Sequence, residues 1–480
     1  MRSLDAKEKR SYRTNAMKRF NFMLAPSQWR DGVSPLTHEE DSMRIRKSAA
    51  VFTAAALIGT MGLAACSNNG NSGASADGVA NLSIYIDSDP SSIALWDALL
   101  ESFNSSHTDI QLSYETHPTG SEGDNLVKTR LANGDMNDVF WYNSGSLLKA
   151  LSPDKTLIDL SDQAWVSKTN DNWKQAASTE NGLYGLPVGV SFGFGMIYNK
   201  DIYKELNLEI PKSWDEFMAN NEKIKAAGKD PVVQTYSDTW TSQVPVLGDA
   251  ANVLAADPEW ADKYTHNKAK YADEPALAGF QHMQDIFEAG YMNADYASAT
   301  YDDGVRMLAE GTAAHYPMLT SNVSATIGAN YPEADASLGV FPIPADDAAN
   351  TTLTIGTPNG MYIPKTTEGA QLEAVYKLLD WLATSEACAV VGSAITVGGP
   401  FVNSDCELPD TATQMVGDMA PYFEEGDTGL ALEFLSPIKG PSLEQITVQV
   451  GSGISSAAEG AALYDQDVQK QAQQLGIEGW

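Results

Sequence analysis

The sequence predicts an α/β fold with helices covering its sheets. Three observations carry this. A strand–turn–helix unit opens the body, short apolar strands then alternate with amphipathic helices, and no internal repeat interrupts the alternation. Leu82-Ser83-Ile84-Tyr85-Ile86 has the alternating pattern of a strand. Asp87-Ser88-Asp89-Pro90-Ser91 follows as a turn rich in helix-capping residues. Ile93, Trp96, Leu99, Leu100 and Phe103 then recur at helical spacing. Val139-Phe140-Trp141-Tyr142 reads as a second strand, with Asn143-Ser144-Gly145 as the loop beyond it.

Helices dominate the middle of the chain. Ser213-Trp214-Asp215-Glu216 has the form of a capping box, in which Ser and Glu each satisfy a free backbone N–H at the helix start. Phe280, Met283, Ile286 and Phe287 mark another helix. Leu372, Val375, Leu379 and Leu382 mark a third, ending near Thr384-Ser385. Strands interleave at residues 195–198 and 360–363. Trp96 and Trp381 fall on helices and Trp214 in a helix-start motif, so all three are assigned to structure.

Ahead of this body, residues 43–65 have the order of a secretory signal peptide. Arg44, Arg46 and Lys47 form the basic region, and an Ala-rich run with Val51, Phe52, Leu57, Ile58, Met61 and Leu63 forms the apolar one. That run falls short of the roughly 20 residues needed to cross a bilayer. Leu63-Ala64-Ala65-Cys66 resembles a bacterial lipoprotein box, which implies that Cys66 is acylated and becomes the new N-terminus. Residues 66–79 are then a flexible Ser/Asn/Gly-rich tether, spanning on the order of 20 Å. Residues 1–42 are mixed and polar. They are set apart from the fold as a non-native or disordered leader with Met43 as the expected start; a long cytoplasmic leader is the alternative.

Of the 31 basic and 63 acidic residues, 11 and 6 precede Cys66, leaving 20 and 57 beyond it, a net charge of −37. Such a body repels phosphate backbones and anionic lipid surfaces, which excludes nucleic acid as the expected ligand. Solubility alone accounts for the charge, and neutral ligands are indifferent to it. Apart from Cys66, the cysteines are Cys388 and Cys406, a pair in a chain read as exported. A disulfide between them would close a loop of about 18 residues, worth roughly 3 kcal/mol in the chain-entropy picture. Two free buried thiols are the alternative.

Two catalytic signatures are missing from the sequence. It has no His-Glu-x-x-His and no Walker Gly-Lys-Ser/Thr, and its six histidines are scattered. A glycosidase needs two carboxylates across a scissile bond. In so acidic a chain, pairs such as Asp302-Asp303 and Asp346-Asp347 arise from composition and read as solvated or helix-start residues. No cofactor and no metal site is expected, and the protein is expected not to be an enzyme.

Several segments, in order, resemble the carbohydrate-binding extracellular solute-binding proteins of ABC transporters, in the family 1 group that includes maltose-binding protein. They are Leu183-Tyr184-Gly185-Leu186-Pro187, Met196-Ile197-Tyr198-Asn199-Lys200-Asp201 and Ile210-Pro211-Lys212-Ser213-Trp214-Asp215-Glu216-Phe217, then Met307-Leu308-Ala309-Glu310-Gly311-Thr312-Ala313-Ala314. Gly339-Val340-Phe341-Pro342-Ile343-Pro344 and Met361-Tyr362-Ile363-Pro364-Lys365 complete the set. Thr241-Ser242-Gln243 and Leu435-Ser436-Pro437-Ile438-Lys439-Gly440 also look like members that take raffinose-type oligosaccharides. The resemblance implies a two-lobed periplasmic-binding-protein-like fold with a hinge and an inter-lobe ligand cleft. The first lobe is expected at 80–191 plus 318–359 and the second at 192–317 plus 360–480. Gly-rich Phe192-Gly193-Phe194-Gly195 suits a crossing between them.

The same resemblance implies an importer subunit that captures an oligosaccharide at the extracellular face of the cell membrane and hands it to permease subunits, as a lipid-anchored monomer. A polyol or peptide receptor, or a secreted glycosidase, is the alternative. Sugars present apolar faces to aromatic rings and hydroxyls to polar side chains. Trp240, in the polar Tyr236-Ser237-Asp238-Thr239-Trp240-Thr241 segment, is the leading candidate for stacking, and Asp238 for a hydroxyl. Asp89 and Asn143 follow strands, where open α/β sheets place ligands. Tyr316 and Phe192 lie at expected lobe crossings, and Phe401 follows the Gly398-Gly399-Pro400 loop. Capping by Asp89 and Asp238 and packing by the aromatics are the competing roles.

Overall fold

The computed structural model describes residues 79–480. The leader, the signal peptide, Cys66 and all of the tether but its last residue lie outside the described residues. Among those described, no helix is long and apolar enough to cross a membrane.

Two sheets organise the body. The first has the strand order Ile110–His117, Ala80–Asp87, Val139–Tyr142, Gly360–Tyr362, Gly185–Pro187. Its first three strands are parallel, in register Ile84 with Val139 and Tyr85 with Phe140, and Gly360–Tyr362 runs antiparallel to both of its neighbours. Parallel strands are buried on both faces. Accordingly every residue of Val139–Tyr142 is buried, and Ile84, Tyr85 and Ile86 are buried in succession. Helix Pro90–Ser106 covers this sheet with Leu95, Trp96, Leu99 and Phe103, and helix Gly369–Leu382 adds Val375, Leu378, Leu379 and Trp381 to the same core. Pro90 opens the first helix, where its missing N–H costs nothing, and Asp89 caps it by accepting from Ser91 N–H.

The second sheet has the order Thr428–Leu430, Leu353–Gly356, Phe192–Asn199, Ala313–Leu319, Asp230–Val232, with Leu338–Pro342 also pairing with Phe192–Asn199. Helices cover it and continue into the C-terminal pair Leu443–Gly451 and Ala457–Leu475. Ser213 caps helix Trp214–Ala226 by accepting from Glu216 N–H, while the Glu216 carboxylate takes the N–H of Lys212 rather than that of Ser213. Trp96, Trp214 and Trp381 are all buried.

The pairing corrects two expected lobe segments. Residues 338–342 and 353–356 were expected in the first lobe but hydrogen-bond to Phe192–Asn199 in the second sheet. Residues 360–362 were expected in the second lobe but pair with Val139–Tyr142 in the first sheet, and the helices at 369–394 pack on the first core. A short apolar strand advertises that it is buried, not which sheet edge it completes. The chain therefore crosses three times: between Pro187 and Phe192, between Gly356 and Gly360, and between Ala394 and Gln414. Gly193 and Gly195 lie inside the strand, where a Cβ on Gly195 would stand 2.5 Å from Val340. Close strand packing, rather than a hinge torsion, accounts for these glycines.

The crossings are tied together. Thr320 hydroxyl accepts from Gly193 N–H (2.8 Å) and donates to Gly398 C=O (2.6 Å), and Ser191 N–H donates to Pro400 C=O. A Cβ on Gly399 would stand 2.0 Å from Ser191 oxygen, so only glycine lets these segments approach. A disulfide joins Cys388, on helix Ser385–Ala394, to Cys406 in the third crossing, with 5.7 Å between the Cα atoms.

Candidate functional site

The C-terminal ends of the first three strands open on a cavity of ≈ 260 Å³. Asp87 ends the strand Ala80–Asp87 and Asp89 follows it, His117 ends Ile110–His117, and Trp141 and Tyr142 end Val139–Tyr142 with Asn143 just beyond. Thr119 and Gly120 at the start of helix Gly120–Asn133, with Asp124 inside it, form another wall, and Asn359 comes from the second crossing. Strand ends gather polar loops because the sheet stops supplying backbone partners there.

Asp89 and Asn143, both expected from the sequence, thus meet in one cavity. Hydrogen bonds from the Ser91 hydroxyl and N–H hold the Asp89 carboxyl below its ordinary pKa, so it is ionised at neutral pH. The capping role and the cavity-lining role coexist in this side chain. Tyr142 hydroxyl donates to Asp124 Oδ1 at 2.8 Å, and burial together with the Asp124 charge pushes the phenol pKa up. His117 is buried, its Nδ1 lies 2.8 Å from Pro118 C=O, and its Nε2 has no partner among the described residues. Trp141 Nε1 is likewise buried and unpartnered.

The other candidates do not join this cavity. In the second lobe, Trp240 is half-buried and its ring lies 5.6 Å from that of Tyr301, tilted by 39°. Asp238 Oδ2 accepts from Tyr301 N–H at 2.7 Å, so this carboxylate holds the start of helix Tyr301–Ala309. Tyr316 is 1% exposed, and its hydroxyl lies 2.6 Å from Thr235 Oγ1. A side chain so enclosed has no face to offer a ligand, which corrects the expectation for Tyr316. Its neighbour Gly304 has no Cβ because the Tyr316 ring would stand 2.7 Å from one. Phe192 and Phe401 lie at the crossings, half-buried; Phe192 packs against Phe194, and Phe401 bridges Val190 and packs on the first core.

Sequence reasoning missed Asp87, His117, Asp124, Trp141 and Asn359 in the cavity. Asp87 and Trp141 sit within two residues of the candidates Asp89 and Asn143, a signal that could have found them. Asp124 and His117 had none: the helix carrying Asp124 is weakly patterned, and the strand ending at His117 was not recognised.

A family model for bacterial extracellular solute-binding proteins matches residues 88–387, more than half of the chain. The chain belongs to the bacterial extracellular solute-binding protein family. The matched span holds both strand-end candidates and most of both sheets. A multiple sugar-binding protein of Streptococcus mutans is 23% identical over 291 residues, 57% of this chain and 66% of the relative. The melibiose/raffinose/stachyose-binding protein MelE of Bacillus subtilis is 21% identical over 268 residues, 54% of this chain and 59% of the relative. The chain thus spans less than two thirds of either relative's length. Among solved structures, the open conformation of the binding protein msme of Bacillus subtilis superposes with a TM-score of 0.70 at 16% identity. That match covers 83% of this chain and 99% of the other, which makes the fold that of a two-lobed periplasmic-binding-protein-like molecule. The family and these relatives are binding proteins rather than enzymes.

Proposed function

We propose that this solute-binding protein is the oligosaccharide receptor of an ABC importer, held at the extracellular face of the membrane by a lipid on Cys66. The observation that carries the reading is the first-lobe cavity, where carboxylates, amides, an imidazole and an indole converge at strand ends on a space of ≈ 260 Å³. That mixture suits a sugar unit, whose hydroxyls both donate and accept. The named specificities of the two relatives, multiple sugars and melibiose, raffinose or stachyose, support α-linked oligosaccharides as the first compounds to try.

A receptor must hold its ligand and release it unaltered. Three crossings, the first and third tied through Thr320, suit rotation of two separately cored lobes about a hinge. A ligand that contacts both lobes binds the closed form better and shifts the population towards it. The permease would read that closed form.

Calorimetric titration of residues 80–480 tests the reading, with raffinose, melibiose, stachyose, panose and maltotriose, and with glucose and lysine as controls. Binding of one oligosaccharide near the micromolar level, with the sugar recovered intact, is the expected result. Turnover of the sugar, or silence from a folded sample across the panel, would sink it. Labelling by radioactive palmitate that is lost in Cys66→Ala checks the anchor.

A further inference from the structure

The charge of the first-lobe cavity says more than its polarity. Asp87, Asp89 and Asp124 all line it, and no Lys or Arg does. Asp87 Oδ1 accepts from Asp89 N–H at 2.9 Å, and Asp124 Oδ1 accepts from Tyr142 hydroxyl at 2.8 Å. Each of these two carboxylates is therefore oriented by one oxygen, and among the described residues the other oxygen receives no hydrogen bond. Among the described residues none of the three carboxylates takes part in a salt bridge.

Two further side chains of the cavity lack partners. His117 is 5% exposed and Trp141 8% exposed, yet His117 Nε2 and Trp141 Nε1 are unpaired. Pro118 C=O can only accept, so Nδ1 of His117 carries a proton and Nε2 is the nitrogen left to a ligand. The cavity thus offers acceptors and negative charge, with donors from Trp141, the two Asn amides, hydroxyls and the first backbone N–H groups of helix Gly120–Asn133. A bare metal ion does not answer this arrangement: among the described residues no group of three His, Cys, Asp or Glu side chains could hold one. An ammonium group does, since it brings three donors and one positive charge. The chain's net charge of −32 draws cations from solution in the same direction.

We infer that the sugar unit seated between Asp87, Asp89 and Asp124 carries a protonated amine, so that the ligand is an amino-sugar oligosaccharide. This rests on the reading of the cavity as a sugar subsite. It differs from that reading in predicting a charge preference, because a neutral sugar brings hydroxyl donors to the three carboxylates but no positive charge.

The test is a set of matched titrations on the full-length protein. Glucosamine and galactosamine disaccharides are compared with their N-acetylated forms and with cellobiose, melibiose and raffinose, at low and high salt. The free-amine form of at least one sugar is expected to bind about tenfold or more tightly than its acetylated and neutral counterparts. The advantage should shrink as salt rises, and Asp87→Asn and Asp124→Asn should each reduce it. Raffinose, melibiose or an acetylated form binding as well as or better than every amine would overturn the inference and leave the sugar-receptor reading standing. An amine preference that survives both Asp→Asn changes would also overturn it, by placing the charge recognition elsewhere. Silence from every sugar in a folded sample would remove the receptor reading and this inference with it. Circular dichroism of each variant separates misfolding from lost recognition, and Asp124→Glu, which keeps the charge, is expected to retain part of the preference.

Discussion

The candidate residues of the two lobes differ in how far the fold already uses their polar atoms. In the first, Asp87, Asp124, His117 and Trp141 keep donor or acceptor capacity that no atom of the described residues fills. In the second, Tyr316 is committed to Thr235, and Asp238 already gives one oxygen to the start of a helix at Tyr301 N–H. Position at a strand end or near a crossing is therefore insufficient to mark a ligand group; what decides is whether the polar atoms are already satisfied within the fold. The contrast can be broken or sharpened by mutations that should affect stability in one lobe and recognition in the other.

The largest expected effect is Tyr316→Ala. The ring fills a fully enclosed space against Gly304, so its loss should cost about 3–5 kcal/mol of stability, mostly from the cavity left behind. Ligand affinity of the fraction that stays folded should be unchanged. Urea denaturation and titration on the same sample separate these outcomes. A stable variant that has lost affinity would return Tyr316 to the binding site and erase the contrast.

Asp249 extends the contrast to a carboxylate with no access to solvent. It is 3% exposed, accepts from Asn252 Nδ2 at 2.8 Å, and burial raises its pKa to about 6, opposed by nearby His282. Asp346 and Glu274 also face it, and Asp346 lies 3.0 Å from His282 Nε2. A carboxyl whose folded pKa exceeds its unfolded value of 3.8 holds an extra proton in the folded state between the two. Its contribution to stability is thus complete below about pH 4 and lost as pH rises through about 6. Asp249→Asn keeps the accepting oxygen and removes the ionisation. Above pH 6 the variant should be more stable than the parent by on the order of 2–3 kcal/mol, with no advantage near pH 4. Denaturation curves that run parallel across this range would show that His282 and its neighbours fully offset the burial.

The fold was legible where periodicity is strong and local. The opening strand, the turn at Asp89, the helix of Trp96 and Leu99 and the strand ending at Tyr142 all appear as read. Lobe membership was not legible beyond the first crossings, because residues 353–356 and 360–362 are equally apolar and only long-range pairing sends them to different sheets. The cavity was half legible for the same reason. Asp89 and Asn143 follow strands in the sequence itself, whereas Asp124 reaches the site only through the orientation of its helix. Tyr316 failed because a tyrosine in a polar-sounding context carries no mark of whether its hydroxyl finds an internal partner.

Asp89 permits a finer test, since it caps a helix and lines the cavity at once. Asp89→Ala should cost about 1 kcal/mol of stability, the usual worth of a cap, and weaken ligand binding as well. Asp89→Ser keeps a capping oxygen but not the charge. It should recover stability without recovering affinity. If affinity returns with the cap, Asp89 acts by ordering the helix start and makes no contact of its own.

Trp240 gives the smallest expected effect and the most informative one for the second lobe. Its ring is half-buried and tilted against Tyr301, so part of its surface is already used for packing. Stacking of a sugar face on what remains should contribute about 0.5–1.5 kcal/mol, which corresponds to a roughly two- to tenfold weakening in Trp240→Ala. Trp240→Phe, which keeps an aromatic face, should recover most of that loss, whereas Tyr301→Phe, which loses only the hydroxyl near Thr326, should leave affinity alone. Affinity within twofold of the parent in Trp240→Ala would reduce the second lobe's aromatic pair to packing. Recognition would then rest on the first-lobe cavity, and the search for the opposing wall of the cleft would move to the crossings, where Phe192 and Phe401 keep partly exposed rings.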